Sequence, residues 1–178
     1  MASKHNTMEA RKAKDSFITM NELVLPNDTN TFGDLMGGKL MYWMDIAAYL
    51  SAAKHCNSAC MTASVDNLSF KTPIRLGNVI CIEACVTRAF NSSMEVHLKV
   101  WNQNMITQSR ELSNEAFFTF VGLDENKKPK KVPEVIPETE EEKKYYAGAL
   151  RRRQLRLILA GKMLPDDATE LKALFIKD

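Results

Sequence analysis

No hydrophobic run in the sequence is long enough to cross a lipid bilayer. The most apolar stretch, Leu40–Ala53, is shorter than the roughly 20 residues that a transmembrane helix needs, and it contains Asp45. Residues Met1–Ser16 are polar, mixed in charge and lack the apolar segment of a secretory signal. We therefore expect a cytoplasmic protein with no membrane partner.

The chain also carries little excess charge. The formal net charge of +2 over 178 residues argues against a nucleic-acid partner, because proteins that bind nucleic acid usually show a clear basic excess. It leaves room for a local basic patch that holds phosphate groups. The hydrophobic content of 45% is enough for a sizeable core and excludes a chain that is disordered throughout.

Cysteine is scarce as well. The four cysteines lie at positions 56, 60, 81 and 85, and without an export signal we expect them to be reduced thiols. Both pairs have a CxxxC spacing instead of the CxxC spacing that is common in zinc sites. Cys81 and Cys85 would share one face of a strand, as small buried residues do. We predict that the cysteines pack in the core and that the protein has no metal site.

The length of 178 residues fits one domain with a tail better than two domains. A turn-rich loop, PNDTNTFGDLMGG, leads into a helix over Gly37–His55 whose apolar residues cover nearly all sides, which is typical of a helix buried in the core. Short, hairpin-like joints favour antiparallel pairing of the strands. The predicted strands are Phe17–Leu25, Cys60–Phe70, Val79–Thr87, Met94–Trp101 and Glu115–Val121.

This order of elements predicts an α+β fold, in which one antiparallel five-stranded sheet wraps around one long central helix. The strand Met94–Trp101 has the clearest period of two in the chain and is predicted to be half-exposed. Residues 1–15 form a polar N-terminal segment, 16–132 the domain and 133–178 a C-terminal helical extension.

The extension is predicted to hold two helices. The first, Glu138–Leu159, is acidic at its start and rich in arginine at its end, which suits the helix dipole. Asp166 or Asp167 is predicted to cap a short last helix, with Glu170 completing a capping box.

Two features of the central helix point to chemistry. Asp45 lies between Met44 and Ile46 in an apolar helix, where a carboxylate needs a partner or a function because burying it unpaired is costly. Gly37 and Gly38 at the helix start leave backbone N–H groups that a ligand can approach closely. Asp45 lies about two turns, or roughly 10 Å, further along the helix. A carbonyl held at the helix tip would not easily reach Asp45 of the same chain, so a neighbouring subunit could complete the site.

The segment DTNTFGDLMGGKLMYWMDIAA resembles the signature of hotdog-fold acyl-CoA thioesterases, in the branch with the bacterial acyl-CoA thioesterases and the cytosolic long-chain acyl-CoA hydrolases. SVDNLSFKTPIRLGNVI and SSMEVHLKVW are also similar to this family. The resemblance runs from about Phe17 to Val132. It implies a hotdog fold, a homo-oligomer and hydrolysis of fatty acyl-CoA to free fatty acid and CoA. The family pattern N-x-x-G-x-x-x-G-G, followed by an acidic residue on the helix, is matched by Asn30, Gly33, Gly37, Gly38 and Asp45.

The resemblance also implies catalytic roles. Asp45 would be the general base or the nucleophile, Asn30 would orient water or the carbonyl, and the Gly38 N–H would help form the oxyanion hole. Thr62 could assist as a hydroxyl on the facing strand. In this family the asparagine and the aspartate come from opposite subunits. No cofactor is implied, because CoA is part of the substrate.

Acyl-CoA also needs partners for its phosphates. In the family, the turn that corresponds to residues 88–93 lies near the nucleotide. The other basic candidates are Lys71, Arg75 and the Lys127–Lys131 cluster, although each could equally be a solvated surface charge. The candidate CoA-binding residues are Arg88, Asn91, Ser92, Ser93, Lys71 and Arg75.

Two other functions fit a hotdog fold. A hydratase or dehydratase would generally need an active-site histidine, and none of His5, His55 and His97 lies in the loop-helix motif. A non-catalytic acyl-CoA-binding regulator would normally carry a DNA-binding segment, and the sequence contains no helix-turn-helix. The thioesterase is therefore the leading hypothesis.

Overall fold

The computed structural model describes residues 9–66, 68–70 and 72–175. The chain divides into two compact units, Met1–Ile136 and Pro137–Asp178. The first unit contains the helix α1 (Gly37–Cys56) and the strands β1 (Arg11–Lys12), β2 (Ile18–Leu23), β3 (Cys60–Val65), β4 (Val79–Ala89), β5 (Ser93–Gln103), β6 (Arg110–Gly122) and β7 (Val135–Ile136).

The main sheet has five antiparallel strands in the order β2-β4-β5-β6-β3. β2 and β3 are therefore its edges. Every second residue of the central strands faces α1, and the inward residues of β5, such as Met94 and Leu98, are fully buried. The predicted five-stranded antiparallel sheet around one helix is confirmed.

The helix α1 packs against the sheet through one side only. Met41, Tyr42, Tyr49 and Leu50 on its other side are exposed, so the predicted burial of the helix on nearly all sides is wrong for the single chain. Leu40, Trp43 and Met44 fill the space under the sheet, and Ala47 and Ala48 are fully buried. Small side chains at these positions let the helix backbone lie close to the strands. Arg11 donates to the carbonyl oxygens of Lys54 and His55 at 3.1 and 2.7 Å, which satisfies acceptors that the end of a helix leaves unpaired.

The outer face of β5 differs from the prediction. The alternation predicts a half-exposed strand, but Glu95 is fully buried and His97 is 6% exposed. Both side chains have polar partners on neighbouring strands: Thr87 donates to Glu95 at 2.7 Å, and His97 Nε2 lies 2.6 Å from a carboxylate oxygen of Glu115. Polar side chains with such partners can be buried at acceptable cost.

Two strand bounds differ from the sequence expectation by five residues. β3 ends at Val65 instead of Phe70, and β6 begins at Arg110 instead of Glu115. Just after the end of β3, the Asp66 N–H donates to the Phe117 carbonyl of β6. The proposed boundaries at 15/16 and 132/133 stay a prediction. β1, in the expected N-terminal segment, pairs in parallel with β7.

The second unit contains α2 (Glu140–Leu159) and α3 (Thr169–Lys172). Thr139 caps α2 and forms a reciprocal capping box with Glu142. The predicted cap of the last helix by Asp166 or Asp167 is wrong, because these residues lie in a 3-10 turn and Ala168 precedes α3 without a side-chain cap. Asp166 instead binds Lys172 at 2.6 Å.

No helix within the described residues is long and apolar enough to cross a membrane. In the same part of the chain, no three histidine, cysteine or acidic side chains come together as a metal site would require.

Candidate active site

The start of α1 exposes backbone donors. Met36 precedes the helix and provides no side-chain cap. The N–H groups of Lys39 and Leu40 both donate to the Met36 carbonyl, at 3.0 and 3.1 Å, whereas those of Gly37 and Gly38 donate to none of the described residues. Free N–H groups at the positive end of a 20-residue helix favour an oxyanion or a polarised carbonyl.

The two glycines differ in the space around them. A Cβ atom on Gly37 would lie 3.2 Å from Cε2 of Phe70, whereas a Cβ on Gly38 would have no atom within 4 Å. Gly37 is therefore covered by an aromatic ring, and Gly38 is open to an incoming group. That Gly38 offers its N–H to a substrate stays a prediction.

Asp45 is fixed by the neighbouring edge strand. Its Oδ1 accepts a hydrogen bond of 2.8 Å from the hydroxyl of Thr62 on β3. Both residues are half-buried, and no hydrogen bond to Oδ2 is found within the described residues. The structure therefore brings together two of the predicted catalytic residues and leaves one carboxylate oxygen for a water or a substrate.

Asn30 lies in the loop before α1 and uses its side chain in two ways. Its Oδ1 accepts from the backbone N–H groups of Phe32 and Asp34, at 2.9 and 3.2 Å. The carbonyl half of the amide thus fixes the loop. The NH₂ half donates to none of the described residues, and Asn30 is exposed. The Asn30 side chain is therefore held in one orientation by its oxygen, and its NH₂ group is available to donate to a ligand.

A cavity of about 350 Å³ lies at the N-terminal end of α1. Asn30 and Gly37 both line it, but Asp45 does not. Its walls are partly polar and partly apolar, and they include Asp34, Phe70, Thr72 and Asn114. The structure thus places Asn30 at the cavity beside the start of α1, and the Asp45–Thr62 pair further along the same helix.

Asn114 is a lining residue that sequence reasoning missed. It is 5% exposed, donates to the Ser69 carbonyl at 2.6 Å and accepts from the Ser113 hydroxyl at 2.8 Å. It therefore holds the loop that carries Phe70. No local pattern marks this asparagine, because its role depends on a contact 45 residues away along the chain.

The electrostatics near the helix start involve a second pair that the sequence did not indicate. Lys39 Nζ lies 3.1 Å from Asp28 Oδ1. A hydrogen bond from the Leu25 backbone N–H, helped by Lys39, holds the pKa of Asp28 below its usual value. The backbone carbonyl of Asp28 also accepts a hydrogen bond from the Met36 N–H, at 2.9 Å. This aspartate fixes the loop and offsets a cation beside the donors.

The candidate CoA-binding residues do not form one cluster. Arg75 binds Asp34 at 2.8 Å, next to the cavity. Arg88 is in β4, with its guanidinium 5.7 Å from the Phe90 ring. Lys71 lies outside the described residues.

The turn after Arg88 is at the opposite end of the sheet from the cavity. Two of its backbone carbonyls accept hydrogen bonds. The Ser92 carbonyl accepts from the N–H of Gly122 in β6 at 2.9 Å, and the Asn91 carbonyl accepts from the N–H of Val132 at 3.0 Å. Gly122 is also the partner of Cys60, the first residue of β3. The turn therefore lies near the C-terminal end of α1, whereas the cavity lies at the N-terminal end.

Comparison with known sequences gives a consistent set of relatives. The family model described as "Thioesterase superfamily" matches residues 32–108. An uncharacterized acyl-CoA thioester hydrolase of Bacillus subtilis is 44% identical over 150 residues, which cover 84% of this chain and 87% of that protein. Acyl-coenzyme A thioesterase 11 of mouse is 43% identical over 143 residues, which cover 80% of this chain and only 24% of that longer protein.

Solved structures agree with these relatives. An apo-hexameric acyl-CoA thioesterase superposes with a TM-score of 0.83 at 41% identity, over 85% of this chain and 97% of that one. An acyl-CoA hydrolase of Staphylococcus aureus, in complex with butyryl-CoA, CoA and CoA disulfide, gives a TM-score of 0.78 at 35% identity, over 85% and 95% of the two chains. Structures of that hydrolase also exist with alanine in place of one aspartate, one threonine or one asparagine. This chain belongs to the hotdog-fold family of acyl-CoA thioesterases.

Proposed function

We propose that this protein hydrolyses fatty acyl-CoA thioesters to free fatty acid and CoA. The observation that carries the proposal is the Asp45 carboxylate, which lies half-buried in an apolar helix with one oxygen fixed by Thr62. A carboxylate with one oxygen oriented and the other available is suited to take a proton from water. The names of the relatives describe hydrolases of acyl-CoA thioesters, which supports this reaction.

In the proposed reaction, Asp45 is the general base. It removes a proton from water as the water attacks the thioester carbonyl carbon. The Gly38 N–H and the Asn30 amide donate to the carbonyl oxygen, where negative charge develops. The C–S bond then breaks, CoA leaves as a thiolate, and the proton on Asp45 returns to the sulfur. No cofactor takes part in this scheme.

The distance along α1 favours a site built from two subunits. Asp45 is seven residues after Gly38, about 10 Å along the axis, and the cavity with Asn30 does not include it. β3 is an edge strand, and an unpaired edge is a template for pairing with another chain. We propose a homo-oligomer in which two copies join their β3 edges around a two-fold axis.

The direction of the elements makes this assembly productive. Cys56 ends α1 and β3 begins at Cys60, so the helix and the strand run in opposite directions. In a two-fold dimer with antiparallel β3 edges, the two α1 helices also run in opposite directions. The N-terminal end of one helix then lies at the end of the partner's sheet that carries the 88–93 turn. A thioester held at the helix tip of one copy would lie between Asp45 and the basic turn of the other.

This arrangement also accounts for the separated CoA candidates. Arg88 and the donors of Asn91, Ser92 and Ser93 would bind the nucleotide end of CoA, while Asn30 and Gly38 of a second copy hold the thioester. The hexameric state reported for one similar thioesterase supports assembly from such dimers. The CoA complexes of the Staphylococcus aureus hydrolase support CoA as the leaving group. We place the activity in the cytoplasm, where the cysteines stay reduced.

A thiol-release assay with a series of acyl-CoA esters tests the function. Hydrolysis of saturated esters with stoichiometric release of CoA and fatty acid is the expected result. A hydratase would instead consume only 2-enoyl-CoA without releasing thiol. Stoichiometric acyl-CoA binding with no turnover of any ester would identify a non-catalytic regulator and would exclude the proposed function.

A further inference from the structure

Cys56 and Cys60 bring two thiols into contact where the central helix turns into the edge strand. Cys56 is the last residue of α1 and Cys60 is the first of β3. Asn57 between them has a left-handed backbone, with φ of 49°, which reverses the chain. The two Sγ atoms lie 3.0 Å apart. The hydrolytic scheme uses neither thiol.

The surroundings of the two sulfurs are unequal. A hydrogen bond from the Cys60 thiol, supported by the Ser58 hydroxyl and by nearby Lys130, lowers the pKa of Cys56 to about 6, against the opposing effect of burial. The same hydrogen bond and burial raise the pKa of the Cys60 thiol. A sulfur–sulfur contact of 3.0 Å lets one thiol donate to the other, which favours ionisation of one sulfur of the pair. A nucleophilic thiolate beside a second thiol is the arrangement found in reversible redox sites.

The turn between the two cysteines borders an open depression of about 610 Å³, which neither cysteine lines. Asn57, Ser58 and Ala59, the three residues between the cysteines, form part of its wall, and Lys130 lines the other side. Cys60 is half-buried and Cys56 is 3% exposed. The half-buried Cys60 is therefore the more accessible of the two sulfurs, and Cys56 lies behind the turn.

We propose that Cys56 and Cys60 form a peroxide-reactive dithiol that closes reversibly to an intramolecular disulfide. The Cys56 thiolate attacks one oxygen of a hydroperoxide and the O–O bond breaks. A sulfenic acid forms, and the leaving oxygen takes a proton from solvent and departs as water or an alcohol. The Cys60 sulfur then displaces the sulfenic hydroxyl group, which leaves as a second water together with the Cys60 proton. Two thiols are oxidised by two electrons and one peroxide is reduced. The sulfurs move from 3.0 Å to a bond of about 2.05 Å.

The product would be a local staple. It would join the end of α1 to the start of β3, two residues before Thr62. Because the sulfurs are already in contact in the reduced fold, the Asp45–Thr62 pair should keep its geometry. The pair therefore protects the chain: the disulfide can be reduced again, whereas further oxidation of a lone sulfenic acid is irreversible.

The chain contains its own control. Cys81 and Cys85 have the same CxxxC spacing but lie on the extended strand β4, so their Cα atoms are about 13 Å apart and cannot form a disulfide. Burial raises the pKa of Cys81. Trypsin cleavage would release residues 55–71 and 76–88 as separate peptides, each with one CxxxC pair.

The experiment treats the full chain with a small molar excess of hydrogen peroxide and analyses tryptic peptides without reduction. The 55–71 peptide should lose about 2 Da and regain it with dithiothreitol, while 76–88 keeps both thiols. In Cys60→Ser, the sulfenic acid of Cys56 should react with dimedone. Without dimedone it should be oxidised further, to the sulfinic acid. In Cys56→Ser, Cys60 should react at least ten-fold more slowly. Cys81→Ser should behave as the wild type.

Several results would overturn the proposal. They are equal oxidation of the two peptides, equal over-oxidation of Cys56 in the wild type and in Cys60→Ser, or a disulfide that links different chains. The oxidised wild type should also keep thioesterase activity within about two-fold; larger, dithiothreitol-reversible inactivation would reject the protective role. Loss of the hydrolytic activity from all forms would contradict the proposed function but not the dithiol, since the peptide masses are measured independently.

Discussion

The hydroxyl of Thr62 donates a hydrogen bond of 2.8 Å to the carboxylate of Asp45, which joins the edge strand β3 to the helix α1. This contact has two separable roles. It stabilises a carboxylate in a half-buried position, and it fixes the direction of the oxygen that takes the proton. Substitutions at the two residues can distinguish these roles.

We expect Asp45→Asn to keep the fold and to lower kcat by about 10²–10⁴-fold, the usual effect of removing a positioned base. The amide is nearly isosteric and can still accept from Thr62, so the melting temperature should change little. Steady-state hydrolysis of an acyl-CoA and thermal unfolding measure the two effects. A folded variant with near-normal kcat would show that Asp45 is not the base.

Thr62→Val should lower kcat by roughly ten-fold, since a hydrogen bond to a charged group is worth about 1.5–3 kcal/mol. Thr62→Ser keeps the hydroxyl and is the matched control, with activity close to the wild type. If valine and serine variants are equally active, the 2.8 Å contact has no part in catalysis.

Gly38→Ala tests the backbone donor at the helix start. Because a Cβ there has no neighbour within 4 Å and alanine favours a helix, the melting temperature should stay the same or rise. The methyl group would crowd a carbonyl approaching the N–H, and kcat should fall about ten-fold. Gly37→Ala is the contrasting variant, since its Cβ would meet the Phe70 ring at 3.2 Å and should affect the loop as well. Full activity in Gly38→Ala would remove Gly38 from the oxyanion hole.

Much of the fold follows from patterns that are local in sequence. The predicted helix start at Gly37 is confirmed because glycine, the preceding turn and the apolar residues agree at that point. The sequence predicts the end of β3 at Phe70, five residues beyond the observed end at Val65, because an edge strand ends where its hydrogen bonds to its single neighbouring strand stop. That depends on β6, which is about 50 residues later in the chain.

The site was less accessible to sequence reasoning. Asp45 stood out because a carboxylate is unusual in an apolar helix, and the resemblance to the family supplied Asn30 and Thr62. Asn114 and the Asp28–Lys39 pair gave no signal, since their contacts depend on how distant segments meet. The same holds for Glu95, whose position on an alternating strand predicts exposure although Thr87 allows it to be buried.

Arg88→Ala should raise KM for acyl-CoA several-fold and change kcat less, because phosphate contacts are present in both the ground state and the transition state. Arg110→Ala is the matched control: Arg110 binds Glu83 at 3.0 Å on the opposite half of the sheet and should not affect KM. A short thioester without the nucleotide should be hydrolysed equally by wild type and Arg88→Ala. An unchanged KM for acyl-CoA would place the nucleotide elsewhere.

His55 should make the stability depend on pH. It is 1% exposed, its Nε2 lies 2.9 Å from the Pro133 carbonyl oxygen, and burial lowers its pKa in the folded chain. Below about pH 6.5 the unfolded chain therefore takes up a proton that the folded chain does not. The free energy of unfolding is therefore unaffected by His55 titration above that pH. It decreases as the pH falls from there toward the folded-state pKa of His55. Chemical unfolding at fixed protein concentration should show a steeper loss between pH 7 and 5 in the wild type than in His55→Gln, and parallel curves would contradict the assignment.

The last prediction concerns the shared site. Asn30→Ala and Asp45→Ala should each be nearly inactive alone, and co-expression of the two chains should restore activity. A mixed dimer contains one site with both residues intact and one site with neither. With random pairing of equal amounts, half of the dimers are mixed, so about a quarter of the wild-type activity should return if the sites act independently. If Asn30 and Asp45 of the same chain form the site, every site in the mixture is damaged and mixing restores nothing. Tagging the two chains differently and purifying through both tags isolates the mixed oligomer, in which the recovery should rise to about half of the wild-type value per dimer. No recovery in that doubly tagged material would refute the shared site and leave hydrolysis by a single-chain site as the alternative.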